Sequence, residues 1–357
     1  MQNTEKIYRE LQKHLNRQPV GYPATRSGAD IRLLQRLFSP EEARLALHLR
    51  HTPNSLRNIH ARVKQTGMSF EDMEVMLEHL ATNGVIGHSE KDGIDHYCII
   101  PLVVGMYEGQ LNRLTPDFLA DFDEYSSSRA FNLELLSTEL PQMRTIPVEE
   151  SITPEHHVGT YDQLTNLILG TDGPIAVFEC ICRKAQQVRG KSCKATSRME
   201  TCMAVGDIAR NNIRAGVGRE VSKEEALDFA RRNESEALIL QPSNSQDIEF
   251  ICACCGCCCG MLRMHRALPK PVAFWATNYF ASVDPESCTG CGKCLDRCQV
   301  KAVAVDSHLG IAVINRDRCL GCGNCVTTCP SEALHLVKKE QEAVPPENSE
   351  VLYETIL

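Results

Sequence analysis

Two cysteine motifs near the end of the sequence have the spacing of a metal-cluster site. CTGCGKCLDRCQ begins at Cys288 and CLGCGNCVTTCP begins at Cys319, so the spacing C-x2-C-x2-C-x3-C occurs twice at an interval of 31 residues. Three cysteines placed three apart in a glycine-containing loop can reach three corners of one cubane, because glycine lets backbone N–H groups approach the sulfurs. The spacing predicts an iron–sulfur cluster at each motif. Structural zinc, which usually takes two separated CxxC pairs, is the alternative.

The duplicated motif, with the short apolar strand patterns VKAVAV and SEALHL that follow it, resembles the bacterial two-cluster ferredoxin domain over roughly residues 280–338. In that family the fourth cysteine of each motif ligates the other cluster. The resemblance implies two [4Fe–4S] clusters, cluster one with Cys288, Cys291, Cys294 and Cys329, and cluster two with Cys319, Cys322, Cys325 and Cys298. Pro330 follows the second motif as the family expects. Gln299 replaces proline after the first motif, so the turn after Cys298 is expected to be less rigid.

Ten further cysteines lie in two groups in the middle of the chain. They are Cys180, Cys182, Cys193 and Cys202, then Cys252, Cys254, Cys255, Cys257, Cys258 and Cys259. Residues two apart in an extended segment share a face. We therefore expect Cys180 beside Cys182 and Cys252 beside Cys254, and Cys255, Cys257 and Cys259 together if the chain stays extended.

Both groups follow predicted strands, and strands of one sheet would bring them together. The number of thiols predicts one or two additional iron–sulfur clusters, with zinc or redox-active disulfides as the alternatives. Basic residues beside the first group either stabilise thiolates or form a solvated loop; they are Arg183, Lys184, Arg189 and Lys191.

The composition indicates metal chemistry in a reducing compartment. Nineteen cysteines, an odd number, do not fit a fully paired disulfide framework. The first residues, MQNTEKIYRELQKHLNRQ, lack the apolar segment of a secretory signal, and no run of about 18 apolar residues predicts a membrane span. We expect a cytoplasmic protein of an anaerobic or low-oxygen host. The net charge of −8 carries no nucleic-acid signature.

The front of the chain has one cysteine, Cys98, and a helical pattern. Capping residues predict helices from Ser39 to about Arg50 and from Ser69 to Thr82, with another over 55–65 between them, and Lys91-Asp92-Gly93 predicts a hairpin. Three helices and a hairpin resemble the winged helix of bacterial regulators. The third helix would enter the major groove, but it carries Glu71, Asp72, Glu74 and Glu78 and no Lys or Arg. This charge opposes DNA binding and favours a structural or docking role.

The sequence as a whole predicts a multidomain α+β protein. We expect a winged-helix-like and helical domain at 1–145, a central α/β cysteine-rich domain at 146–275, a ferredoxin-like dicluster domain at 276–340 and a flexible tail at 341–357. The pair His156-His157 is expected to be solvated or packed rather than metal-ligating. No nucleotide is expected, because G-x-G-x-x-G is missing and Ala185 stands where the phosphate loop AQQVRGKS would need glycine.

The favoured function is an iron–sulfur electron-transfer protein that relays electrons between a low-potential donor and a partner oxidoreductase. Acidic residues near the first motif, such as Asp284, Glu286 and Asp296, favour a low potential. The partners would be redox proteins, and the chain would be an electron-transfer component rather than a stand-alone enzyme. The alternatives are a redox-responsive winged-helix regulator and a catalytic oxidoreductase whose active site is a middle-domain cluster.

Overall fold

The structure, a computed structural model, describes residues 2–156 and 158–356, and the side chains of these residues except 2–4 and 155. Its α-helices are α1 (Gln2–Leu15), α2 (Ala29–Leu37), α3 (Pro40–Ala46), α4 (Leu56–Val63), α5 (Phe70–Thr82), α6 (Pro116–Ser126), α7 (Arg129–Ser137), α8 (Leu164–Leu169), α9 (Ile181–Val188), α10 (Gly206–Arg214), α11 (Lys223–Ser235), α12 (Gly260–Ala267), α13 (Lys293–Arg297) and α14 (Ser349–Ile356). None of these helices combines the length and apolar character needed to cross a bilayer.

The β-strands are short and lie in four sheets. They are β1 (Asn54–Ser55), β2 (Ile86–Lys91), β3 (Ile94–Ile99), β4 (Ile175–Glu179), β5 (Glu200–Val205), β6 (Gly218–Val221), β7 (Ile239–Pro242), β8 (Phe250–Cys254), β9 (Tyr279–Val283), β10 (Val303–Val305), β11 (Ala312–Ile314) and β12 (Leu334–Lys338). The described residues form two compact units, one of 2–140, 207–219 and 353–356, the other of 141–156, 158–206 and 220–352.

Helix caps position the helices of the first unit. Ser39 and Glu42 form a reciprocal capping box at the start of α3, and Ser69 accepts a hydrogen bond from the backbone of Asp72 at the start of α5. Between α2 and α6, Arg32 and Arg36 each contact the carboxylate of Asp121 at 2.6 Å. The apolar faces of these helices meet in a core that includes Leu11, Leu33, Leu34, Leu45, Leu49, Ile59 and Met73.

A hairpin follows α5, where the sequence predicts one. Strands β2 and β3 pair from Ile86↔Ile99 to Lys91↔Ile94, and the two-residue turn Asp92-Gly93 has positive φ at both positions. Strand β1 adds to the other edge of β3. The three helices α3, α4 and α5 and the hairpin are therefore present, although α3 ends at Ala46 rather than near Arg50.

A five-stranded sheet in the order β6-β4-β5-β8-β7 forms the centre of the second unit. Strands β5 and β8 pair antiparallel with Met203 opposite Ile251. Helices α8 and α11 contribute Leu164, Ile168, Phe229 and Ala230 to the core on this sheet, which also contains Cys255 and Cys258. The sheet thus carries the cysteine-bearing strands next to an apolar core.

The two cysteine motifs lie between short strands in the same unit. Strand β9 pairs with β12, from Val283↔Leu334 to Tyr279↔Lys338, and β10 pairs with β11. Backbone N–H of Val148 donates to the carbonyl of Cys322 at 3.0 Å, so the segment before α8 packs on the second motif.

Two segments differ from the sequence-based expectations. The apolar pattern IAVFECIC predicts a strand through Cys182, but β4 ends at Glu179 after a register shift, and Cys180 becomes the N-cap of α9. The polar segment 341–357 includes helix α14, and the carbonyls of Pro346 and Glu347 accept hydrogen bonds from the backbone of residues 246 and 247. The polar composition of this segment therefore does not predict its structure, because its backbone forms a helix and hydrogen bonds with the loop after β7.

Candidate metal centres

The two cysteine motifs adopt matching loops. In each, the glycines after the first and second cysteine have positive φ; they are Gly290, Gly292, Gly321 and Gly323. A side chain at Gly290 would collide with the carbonyl oxygen of Gly310. Glycine is therefore needed both for the left-handed backbone and for the close approach of neighbouring chain.

The sulfurs of these motifs gather in two groups. Burial raises the pKa of Cys294, and the neighbouring sulfurs of Cys291, Cys288 and Cys329 raise it further. Burial also raises the pKa of Cys325, with further contributions from Cys322, Cys319 and Cys298. The fourth cysteine of each motif thus lies with the first three of the other.

Backbone N–H groups point at several of these sulfurs. Ala281 donates to Cys319 Sγ at 3.3 Å, Ala302 to Cys298 Sγ at 3.1 Å and Ala312 to Cys288 Sγ at 3.4 Å. Such bonds stabilise negative charge on a ligating thiolate and tune the potential of a cluster. The donor set and its N–H partners fit a pair of thiolate-bound iron–sulfur clusters.

The family comparison bears on this region alone. Residues 281–333 match the 4Fe-4S dicluster domain. The match supports iron–sulfur clusters and electron transfer, as the resemblance of the motifs implies. It leaves the winged-helix resemblance of residues 1–145 without support. No curated protein and no solved structure gives a significant match to the chain.

The ten middle cysteines separate into two sites rather than following the two sequence groups. Six form what we call the six-thiol ring, in which each sulfur interacts with two others, in the order Cys180, Cys182, Cys259, Cys254, Cys252 and Cys202. The other four form what we call the quartet, Cys193, Cys255, Cys257 and Cys258.

Four elements position the six-thiol ring. Cys180 is the N-cap of α9, Cys182 lies in the first turn of that helix, and Cys202 lies in the middle of β5. Cys252 and Cys254 share one face of β8, as their spacing predicts, and Cys259 is the N-cap of α12. The pairing of β5 with β8 brings Cys202 beside Cys252.

The direction of the pKa shift alternates around the ring. Hydrogen bonds from neighbouring thiols lower the pKa of Cys252 to about 6 and lower the pKa values of Cys180 and Cys259 as well. The pKa values of the three sulfurs between them are raised by the same contacts; these are Cys182, Cys202 and Cys254. Six closely spaced sulfurs, four of them buried, cannot all carry charge without a cation, and a bound cation favours the thiolate form of each ligand.

The quartet is more compact than the ring. Its four sulfurs all lie within 4.8 Å of one another, and no other group of three or more Cys, His, Asp or Glu side chains in the described chain meets that distance. Cys255, Cys257 and Cys258 lie in the turn between β8 and α12, and Cys193 lies in the loop after α9. Cys259 would lie with Cys255 and Cys257 only if the chain stayed extended, and this condition is not met because the chain turns at Gly256.

Arg183 lies between the two middle sites. It is 2% exposed, and its guanidinium donates to Thr201 and, at 3.2 Å, to the carbonyl of Ala253. It also hydrogen-bonds with Cys193 of the quartet, and its charge interacts with Cys180 of the ring. Burial lowers the pKa of Arg183, but these sulfurs outweigh it and raise the pKa. The sequence analysis named four basic residues that could stabilise thiolates in this region. Arg183 is the one that contacts both sites, and Lys184 forms an ion pair with Glu179 at 2.9 Å.

The quartet loop contacts the first ferredoxin motif. Backbone N–H of Gly256 donates to Gln299 Oε1 at 3.0 Å, and Arg266 donates to the carbonyl of Gly256 at 2.7 Å. A side chain at Gly256 would collide with the carbonyl oxygen of Gln299. Gln299, where the ferredoxin family has proline, therefore supplies a specific contact beside Cys298, and its departure from the pattern was the only sequence signal for it.

Among the described residues, no histidine joins the group of ligand atoms that forms the quartet. His156 Nε2 lies 2.8 Å from the carbonyl oxygen of Leu336, and its Nδ1 accepts from the backbone of Thr153 at 2.8 Å. His157 lies outside the described residues. The ligand atoms that converge in the middle domain are all thiol sulfurs.

Proposed function

We propose that this protein is an iron–sulfur electron-transfer protein that relays electrons between a low-potential donor and a partner oxidoreductase. The observation that carries the proposal is the 4Fe-4S dicluster match over residues 281–333, together with the two groups of four sulfurs found there. Bound [4Fe–4S] clusters would take up and release single electrons.

The chain's own residues supply the ligands and their surroundings. We assign Cys288, Cys291, Cys294 and Cys329 to cluster one, and Cys319, Cys322, Cys325 and Cys298 to cluster two. The hydrogen bonds to Cys288, Cys298 and Cys319 would hold these thiolates in place. Asn324 donates to Cys322 Sγ at 3.6 Å and to the carbonyl of Ala237 at 3.2 Å, which ties the second motif to the central sheet domain.

We assign a third, polynuclear iron–sulfur cluster to the six-thiol ring. Thiolates on one zinc-sized ion lie about 3.8 Å apart, because the metal–sulfur bond is about 2.3 Å and the geometry is tetrahedral. No three ring sulfurs lie within 4.8 Å of one another. The ring is therefore too wide for one ion and suits a cluster with several metal atoms.

The winged-helix-like front would dock a redox partner. Its helix α5 carries acidic side chains, and Glu78 is paired with Arg214 at 3.1 Å. An acidic surface suits a partner protein with basic side chains better than it suits a nucleic acid.

Anaerobic purification with iron and sulfide analysis tests the proposed function. We expect about eight irons from the two ferredoxin clusters and further iron from the ring. Replacing Cys254 with alanine should remove the ring's share of the iron and leave at least about eight irons, whereas Cys98→Ala, in the other unit, should retain all of the iron. Fewer than about eight irons per wild-type chain would reject the proposal.

A further inference from the structure

The quartet has the dimensions of a site for one metal ion. Cys257 Sγ lies 3.5 Å from Cys255 Sγ and 3.6 Å from Cys258 Sγ, and Cys193 Sγ lies 3.6 Å from both Cys255 Sγ and Cys257 Sγ. Four thiolates around one tetrahedral ion stand about 3.8 Å apart. The remaining two sulfur pairs are within 4.8 Å. All six separations are therefore compatible with a single tetrathiolate ion.

The same separations argue against the two other uses of these thiols. A disulfide requires sulfurs about 2.05 Å apart, and the four shortest separations here are 3.5–3.6 Å. In a cubane each cysteine binds a different iron at an outer corner, so the four thiolate sulfurs stand farther apart than they do on one ion. All four sulfurs of the quartet lie closer together than this arrangement requires.

The surroundings suit a site that keeps a negative charge. Four thiolates and one divalent cation leave a net charge of −2, which needs nearby donors. Lys194 N–H donates to Cys257 Sγ at 3.4 Å, and the backbones of Ala195 and Thr196 and the guanidinium of Arg183 hydrogen-bond with Cys193. Both Cys255 and Cys258 are buried, at 1% and 3% exposed.

We propose that the quartet binds one divalent metal ion, Zn²⁺ or Fe²⁺, in tetrahedral thiolate coordination. All four positions are filled by protein sulfurs, so no position is open for a substrate, which is the mark of a structural site. The ion would fix the turn between β8 and α12, and with it the hydrogen bond from Gly256 to Gln299 beside Cys298. This metal would be additional to the iron–sulfur clusters of the proposed function and would carry no sulfide.

The wild-type chain, purified anaerobically, gives the first test. Zinc, iron and acid-labile sulfide are measured per chain, and X-ray absorption is recorded at the edge of the metal found. We expect about one zinc with four sulfur neighbours at about 2.3 Å. If iron occupies the site instead, Mössbauer spectra should show one tetrathiolate iron apart from the sulfide-bridged irons. Absence of both signals from the wild-type chain would overturn the proposal.

A variant locates the ion, with Cys98→Ala as the control. Cys257→Ala should lose that one zinc or iron and keep its sulfide, while Cys98→Ala should keep all metal. Loss of several irons with an equal number of sulfides in Cys257→Ala would show a cluster and overturn the proposal, as would retention of every metal. If Cys257→Ala fails to fold, the wild-type spectra still test the proposal, because they do not depend on a variant.

Discussion

The guanidinium of Arg183 is a buried positive charge between two thiol-rich sites. It contacts Thr201 and Ala253 and interacts with sulfurs of both the six-thiol ring and the quartet. Removing one partner from a buried charged network leaves the others unpaired, at a cost of about 3–5 kcal/mol. We therefore expect Arg183→Met to lower the free energy of unfolding by about 3 kcal/mol or more and to reduce the metal content.

Lys191→Met is the matched control, because Lys191 carries the same charge in the exposed loop after α9. Exposed substitutions of this kind change stability by less than about 0.5 kcal/mol. Urea unfolding of the anaerobic proteins, followed by metal analysis, compares the two variants. Equal unfolding midpoints and equal metal contents would show that Arg183 does not support these sites.

Gly256 and Gly260 form a second matched pair, four residues apart. A Cβ at Gly256 would collide with the backbone oxygen of Gln299, whereas a Cβ at Gly260 would have no atom within 4 Å. We expect Gly256→Ala to separate the quartet loop from the Cys298 turn and to cost about 1–3 kcal/mol. Gly260→Ala, at the start of α12, should be neutral or slightly stabilising. Thermal unfolding of both proteins measures this difference, and identical melting temperatures would contradict it.

Helix α11 and the segment before α8 meet at the half-buried carboxyl group of Glu234. The backbone N–H of Glu149 donates to Glu234 Oε1 at 2.9 Å. Burial raises the pKa of Glu234 to about 7, and the charges of Glu149 and Glu150 add to the shift against the opposing effect of Arg231. Because the folded pKa is above the usual value, the carboxyl does not oppose folding below about pH 4.5. Its unfavourable contribution grows as pH rises to about 7 and is constant above that.

Glu234→Gln should therefore stabilise the protein most above pH 7, by at most about 3 kcal/mol, and much less near pH 5. Glutamine keeps the oxygen that accepts from Glu149, so the change removes only the charge. Asp228→Asn on the exposed side of α11 is the control. Unfolding midpoints at pH 5.5 and pH 8 give the result; a stabilisation that is the same at both pH values would contradict the assignment.

At the level of elements, the features that could be predicted from the sequence are those determined by residues close together in the chain. Capping boxes at Ser39 and Ser222, the Asp92-Gly93 turn and the pairing of Cys252 with Cys254 on one strand face could all be predicted from residues close in the chain. Strand β5, which carries Cys202, was not identified, because ETCMAV has no alternating pattern and is buried on both faces.

The assignment of the middle thiols could not be predicted, because it depends on where the chain turns. Cys258 and Cys259 are adjacent in sequence and belong to different sites, since Cys258 lies in the turn and Cys259 is the N-cap of α12. Cys180 and Cys182 lie together although the strand ends before them, because the first turn of α9 takes over. Count and spacing therefore indicated that these thiols act together, but not that they divide into a ring and a quartet.

At the scale of the whole molecule, the thiols and the acidic front lie in different units. The second unit contains eighteen of the nineteen cysteines, and the first contains Cys98 and the acidic helix α5. The chain has a net charge of −8 before any thiolate is counted. Thiolate ligation of bound metal would add negative charge to the second unit, which opposes contact with phosphate groups.

We therefore expect the full chain, purified anaerobically, not to bind duplex DNA. Fluorescence anisotropy of a labelled random-sequence duplex, measured at about 50 mM and 200 mM salt, tests this, because phosphate contacts lose affinity steeply over that range. Flat anisotropy at both salt concentrations is the expected result. Binding that weakens with salt, and that differs between the metal-loaded and the air-oxidised protein, would instead favour the redox-responsive regulator. In that case the phosphate contacts would have to come from basic side chains outside α5, since that helix has no Lys or Arg.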